Sequence, residues 1–363
     1  MLAVLALAGC SSPQPAEDTS TELAAAAAPE PEQRVLTEAF LSTMAPEDNI
    51  DSVATWMTPD GATWAIATAK STDRLVVYDG DSGATLSTFG ERGEGPGQFR
   101  RPNGIAVADD LAFVVERDNH RVQVLRLPAF EHVATFGADD LVKPYGLWVM
   151  PGDGGYVLYV TDAYMAGEDA DGEDILPPLE ELDRRVKRYE LRREGEGYHA
   201  RLAGTFGDTS PEGALRVVES IWGDAENDRL LIAEEDERYA NEFKVYSLDG
   251  HYSGQRLGGE RFSAQAEGIA LARCAGGEGW WITTEQARDA TVFHLFDRRT
   301  LDYTGGFVGG TVANTDGIWL EQRATQRFPQ GALYAVHDDQ GLVAFDWRDV
   351  ASALDLPACE VAP

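Results

Sequence analysis

The chain has 363 residues and carries 62 Asp and Glu against 30 Lys and Arg, a formal net charge of −32. So acidic a surface repels nucleic-acid phosphates, which excludes DNA and RNA as partners, and three cysteines cannot build a disulfide framework. The hydrophobic share of 43% is enough to fill a core, and no run of about 18 uncharged apolar residues offers a membrane-spanning helix. What remains is a folded protein with an excess of carboxylates. They serve either as a solvated coat or, in part, as ligands for cations.

In chain order, residues 1–10 are almost purely apolar and end in Leu7-Ala8-Gly9-Cys10. This is similar to the lipobox of a bacterial lipoprotein, where the cysteine is acylated after cleavage, although the usual basic residues before it are missing. Residues 11–32 are rich in Ala, Pro, Ser and Glu without periodicity, the composition of a flexible tether. The expectation is an exported lipoprotein, periplasmic or held at the outer membrane or cell surface, with the lipid on Cys10 as its membrane attachment. In such an oxidising compartment Cys274 and Cys359 either pair, pinning the C-terminal tail, or stay as two free thiols.

From residue 33 to 363 the chain repeats. Six segments share a polar or aromatic residue, usually a small one, and an apolar strand start; they begin at Asp51, Asn103, Tyr145, Glu219, Glu267 and Asp316, at intervals of 52, 42, 74, 48 and 49. Each is followed by a second apolar run (64–67, 111–115, 157–160, 230–233, 280–283 and 333–336) and a third with period-two alternation. A weaker fourth run often ends in Phe-Gly, as at Phe89-Gly90, Phe136-Gly137 and Phe206-Gly207. Short strands, Gly and Asp turns and no helical period predict an all-β fold. Four strands repeated six times predict a six-bladed β-propeller, with four-stranded antiparallel blades around a central channel. Two sandwich domains would not explain six matching starts. The 74-residue interval holds an acidic, proline-containing insert at 165–185, read as a surface loop. Residues 33–40 lie outside the repeats and are expected to add an outer strand that closes the ring.

In a propeller the first strand of each blade lines the channel, so the six opening residues meet at one mouth. The second strands run back to the same face and end at Lys70, Glu116-Arg117, Asp162, Glu234 to Glu237, Glu285 and His337-Asp338-Asp339. A single Asp there is ordinary turn chemistry. Four acids at equivalent register cannot all stay ionised without a counter-charge, and a hard cation with oxygen ligands supplies one, Ca²⁺ tolerating irregular geometry best. Lys70, Arg117 and Tyr145 share that face and suit an anion. Other chemistry scores poorly: there is no G-x-S-x-G, H-E-x-x-H, Walker loop or C-x-x-C, and the six histidines lack metal-ligand spacing.

With the repeats aligned, Glu219-Ser220-Ile221-Trp222-Gly223-Asp224 and Leu230-Leu231-Ile232-Ala233-Glu234-Glu235-Asp236-Glu237 resemble the T-E-G-M-A-x-D and L-Y-I-A-E-E-D-E runs of the β-propeller phytases, the calcium-dependent alkaline phytase family of bacteria. Ala266-Glu267-Gly268-Ile269, Thr315-Asp316-Gly317-Ile318, Thr68-Ala69-Lys70-Ser71 and Tyr145-Gly146-Leu147 match further family motifs. The likeness spans about residues 45–350. It implies Ca²⁺ as cofactor, with Asp51, Glu219, Glu235, Glu267, Asp316 and Asp338 as metal ligands. It also implies Lys70, Arg117 and Tyr145 as contacts to substrate phosphate. The implied catalytic set is Glu219, Glu235, Glu267, Asp316, Lys70 and Tyr145, in a monomer that hydrolyses myo-inositol hexakisphosphate or a phytate-like ester by metal-activated water.

The chain departs from that pattern in places. The family's D-D-P-A is here Asp51-Ser52-Val53-Ala54, losing a carboxylate unless Asp48 substitutes. Its T-G-K-E is Thr161-Asp162-Ala163-Tyr164, losing a lysine, and its N-R-S is loosely matched by Arg117-Asp118-Asn119. The second repeat, from Gly95-Pro96-Gly97 through Asn119-His120-Arg121-Val122, resembles an NHL repeat instead. The alternative to an enzyme is therefore a non-catalytic propeller that binds a partner or anionic glycan at the same mouth. An NHL-type lactonase or lyase would need a His or Asn metal set that is not found.

Overall fold

The structure, a computed structural model, describes residues 34–195, 197–236 and 238–361; the expected signal segment, Cys10 and the tether lie outside the described residues. Six antiparallel sheets follow one another along the chain, with inner strands Ile50–Met57, Pro102–Ala108, Pro144–Gly152, Val218–Asp224, Gln265–Arg273 and Ile318–Glu321. This is the six-bladed propeller expected from the repeats. Hydrophobic side chains on both faces of each sheet fill the spaces between blades. Between blades 5 and 6, for example, Phe293, Phe307 and Phe345 pack with ring centroids 4.7–5.4 Å apart.

The ring is closed by the segment before blade 1, which does so in two pieces. Phe40–Leu41 pairs antiparallel with Gly341–Asp346 as the outer strand of blade 6, and Arg34–Leu36 pairs in parallel with Tyr303–Gly309 as a fifth strand on blade 5. Early residues thus cover late edges, which leaves fewer unpaired backbone groups. Beyond blade 6, Asp346 caps a short helix, Trp347–Ala353, by accepting from the Arg348 amide. A disulfide joins Cys359 to Cys274, and Cys274 also bridges to Val361.

What positions the site is a β-bulge at the start of the inner strands of blades 1 to 5. In blade 2, Pro102 pairs with Glu116 and Ile105 with Val114, so Asn103 and Gly104 together face one residue, Val115. The same two-against-one step falls at residues 51–52, 145–146, 219–220 and 267–268. A bulge bends the strand and re-aims the side chain at it; here that residue is the one opening each repeat. Where the residue that follows is glycine, sterics demand it, while Ser52 and Ser220 stand there in blades 1 and 4. A Cβ on Gly146 would lie 2.3 Å from the Glu219 carbonyl of the next blade, and one on Gly104 would lie 2.6 Å from that of Tyr145. Where a threonine sits across the bulge it ties neighbouring blades, as Thr161 does by donating to the Glu219 carbonyl at 2.6 Å while accepting from the Gly146 amide.

The insert at 165–185 departs from a plain surface loop. It carries a small hairpin, Gly167–Glu168 with Asp174–Ile175, and a 3₁₀ turn at Leu179–Glu181. Its last residue, Arg185, is fully buried and donates to the carbonyls of Leu215, Asp162, Tyr164 and Arg216. Arg185 is therefore a cross-blade brace, because a buried guanidinium needs acceptors for all its N–H groups.

A carboxylate-lined channel mouth

The bulges bring Asp51, Asn103, Tyr145, Glu219 and Glu267 into one ring, which Asp316, just before the inner strand of blade 6, completes. Lys70 and Glu235, each one residue beyond the end of its second strand, join it, as does Gln286 near the end of the second strand of blade 5. The ring divides into two halves with opposite electrostatics.

In the first half every carboxylate is matched by donors. Lys70 Nζ lies 2.8 Å from Asp51 Oδ1 and 3.1 Å from Asp316 Oδ2. Asp51 also accepts from the Tyr145 hydroxyl at 3.0 Å and the Ser52 hydroxyl at 2.9 Å, and Asp316 accepts from the Gln286 amide. Burial alone would lower the Lys70 pKa, but the charges of Asp51 and Asp316 outweigh it and hold the ammonium protonated. Burial, and then the surrounding carboxylates, keep Tyr145 a neutral phenol.

In the second half the carboxylates face one another. Oxygens of Glu219, Glu235 and Glu267 lie within 4.8 Å of each other, and among the described residues buried Glu235 Oε1 has no hydrogen-bond partner. Burial first, then mutual repulsion, pushes Glu235 and Glu267 well above the usual carboxylate range. Glu219 is pushed up to about 8 and Asp316 to about 7, burial being the largest cause in both. Two buried acids and half-buried Glu219, with an orphaned oxygen and only the Lys70 charge nearby to offset them, are a donor set that fits a hard, oxygen-preferring ion such as Ca²⁺.

Several expected site residues lie elsewhere. Asp338 is exposed and accepts from Gln340, while its neighbour Asp339 turns toward Asp316 and Lys70. Arg117 pairs with Asp118 at 2.7 Å, in a surface pocket with His120 and Lys143. Asp48, the proposed substitute carboxylate, is held by Thr72 and by Arg74 at 2.7 Å. Ala163 is buried and brings no charge.

The strand-end acids Glu116, Asp162, Glu234 and Glu285 do not join the mouth either. Each accepts from backbone N–H groups of the loop entering its own blade: Arg100 for Glu116, Val142 and Lys143 for Asp162, Arg216 and Val217 for Glu234, Ser263 and Ala264 for Glu285. The reason is strand parity, since successive side chains point to opposite faces. Glu234 and Glu285 cap their loops, and the residues after them, Glu235 and Gln286, face the channel. That parity was the available signal for Gln286, which the sequence reading passed over.

A family model described as Phytase matches residues 189–342, and one described as NHL repeat matches residues 99–125. The resemblance to β-propeller phytases thus falls on the C-terminal blades and the NHL likeness on blade 2. The Phytase match contains Glu219, Glu235, Glu267 and Asp316 and stops short of Asp51, Lys70 and Tyr145. No match was found among curated proteins. Among solved structures the chain is similar to one described as "Streptogramin B lyase structure", at 12% identity over 84% of this chain and 96% of that one, with a TM-score of 0.48.

Proposed function

We propose that the chain is a calcium-dependent phosphomonoesterase of the β-propeller phytase type, acting on myo-inositol hexakisphosphate or a related phosphate ester. The observation that carries this reading is the mutually repelling set of half-buried Glu219 and buried Glu235 and Glu267, with its orphaned Glu235 oxygen. Those three carboxylates would hold the ion, with Asp316 beside them. A bound Ca²⁺ supplies polarisation of a phosphoryl oxygen and a lowered pKa for an attacking water. The ammonium of Lys70 has two of its three N–H directions committed to Asp51 and Asp316 and keeps one for an incoming phosphate oxygen. Tyr145, protonated throughout the neutral range, orients Asp51 and borders the same space.

The test is phosphate release from inositol hexakisphosphate with calcium and then with EGTA, from about pH 5 to 9. Calcium-dependent release supports the proposal; release indifferent to EGTA, or none, overturns it. A second reading, a propeller that binds an anionic partner without hydrolysing it, is favoured by buried Ala163 where the family has a lysine. Binding of the hexakisphosphate without turnover would select it.

We further propose that the chain is exported and tethered through a lipid on Cys10; the Cys274–Cys359 disulfide, a bond that persists in oxidising compartments, supports this. Mass spectrometry of the N-terminal peptide from membranes, before and after Cys10→Ala, checks it.

A further inference from the structure

The channel has a second end, with different chemistry. Beneath the polar ring each blade supplies one buried aliphatic side chain: Val53, Ile105, Leu147, Ile221, Ile269 and Ile318. Below this collar the half-buried rings of Trp222 and Trp319 meet edge to face with centroids 5.1 Å apart. They line both the waist of the channel and the cavity beyond it, and so form a partition. That cavity, about 490 Å³, lies at the far ends of the inner strands, away from the carboxylates. Trp148, Met150 and Leu271 add apolar wall to it. Arg273, the last residue of its inner strand, stands exposed at the rim. Its backbone is fixed by Gln322, which accepts from the Arg273 amide at 2.8 Å and donates to its carbonyl at 3.1 Å. Among the described residues the Arg273 guanidinium has one acceptor, Glu226, at 3.4 Å, and the other oxygen of Glu226 is held at 2.7 Å by buried Arg298.

We propose that this far chamber binds a small aromatic carboxylate, its flat ring against the tryptophans and its carboxylate on Arg273. A concave, mostly apolar cavity with a few polar groups at its edge is the usual make-up of a small-molecule site. Indole rings left partly open in such a cavity offer faces and edges for another ring to pack on. A guanidinium short of acceptors presents parallel N–H donors that match a carboxylate. An uncharged ring would leave that fork unused, and a cationic one would meet the Arg273 charge. The collar and the tryptophan partition separate the chamber from the carboxylate ring, so binding here needs no ion at the mouth and stands apart from the proposed hydrolysis.

The experiment is isothermal titration of the full chain at pH 7 with 2-naphthoate, and with uncharged 2-naphthol for comparison, in calcium and then in EGTA. The expected result is one saturable naphthoate site, equally tight within about twofold in both buffers. Naphthol should bind about tenfold more weakly, the scale of a hydrogen bond to a charged group. Arg273→Ala should weaken naphthoate by about the same factor and leave naphthol unchanged, whereas Ala225→Trp, at an exposed position on the cavity wall, should weaken both by crowding the chamber. Absence of saturable binding overturns the proposal. So does naphthoate affinity that survives both substitutions, or that is lost in EGTA, since the ligand would then lie elsewhere. Equal affinity for naphthol and naphthoate overturns the assignment of a carboxylate to Arg273. Circular dichroism checks the fold of each variant, and should one fail to fold, the other together with the naphthol comparison still decides. Calcium-dependent phosphate release is a separate readout, so failure here leaves the hydrolase reading untouched.

Discussion

Glu234 and Glu235 are adjacent, both buried, and do opposite things. Glu234 accepts from the backbone N–H groups of Arg216, Val217 and Asp236, with Lys244 and Arg216 within 3.9 Å. Glu235 points into the channel among Glu219 and Glu267 with an oxygen that no donor reaches. A buried carboxylate surrounded by donors is a structural part, because its desolvation is offset inside the fold. One surrounded by other carboxylates leaves that cost unmet, and so marks a place where something from outside belongs. Burial and charge do not separate the two; the donor census does.

The comparison breaks most visibly at Glu234. Glu234→Ala strands three backbone donors and removes one of the two carboxylates beside the buried Lys244 ammonium, and should destabilise the chain by about 3–5 kcal/mol, the usual effect of removing one partner of a buried ion pair. Urea unfolding followed by tryptophan fluorescence checks this. The calcium response of the residual folded protein should be intact. Glu235→Gln should do the reverse. Calcium affinity and turnover should fall about 100-fold, a scale already reached by losing supporting residues around a metal. Stability without calcium should hold or rise, since one of three repelling charges is gone.

A third expectation concerns pH. Glu219 is raised to about 8 from an ordinary 4.5, and Asp316 to about 7 from 3.8. The folded chain therefore binds these protons more tightly than the unfolded chain. Their contribution to stability is complete below about pH 4 and is lost as pH rises through 7 to 8. Thermal melts without calcium should show this downward slope. With calcium the slope should flatten, and the calcium-induced rise in Tm should grow over the same window, because binding requires the deprotonated forms. Equal calcium shifts at pH 5 and pH 8.5 would show that Glu219 does not hold the ion. The smallest effect is expected at Asp338. It is exposed and tied to Gln340, so Asp338→Asn should leave calcium affinity and phosphate release within about twofold, as surface substitutions away from special features do.

Much of this was legible before any coordinates. The polar-small-apolar repeat places a ring residue at each bulge, and the glycine after it is there because the next blade's carbonyl comes within 2.3–2.9 Å of where a Cβ would stand. Asp51, Tyr145, Glu219, Glu267 and Asp316 could thus be read off the repeat, as could closure of the ring by the segment around Phe40. The acids at the strand ends were less legible. A run such as Glu234-Glu235-Asp236 offers three carboxylates, and a one-residue difference in parity sends them to different faces.

By itself the sequence determined the repeat, and with it the propeller and the residues at the channel mouth, because strand alternation and turn chemistry are local. Tertiary structure decided which carboxylates are satisfied. That depends on donors delivered from far along the chain, such as Lys70 crossing to Asp316 or the Arg216 amide reaching Glu234. Hydrogen bonds are settled by three-dimensional proximity, and only the closed ring of blades brings those donors and acceptors together.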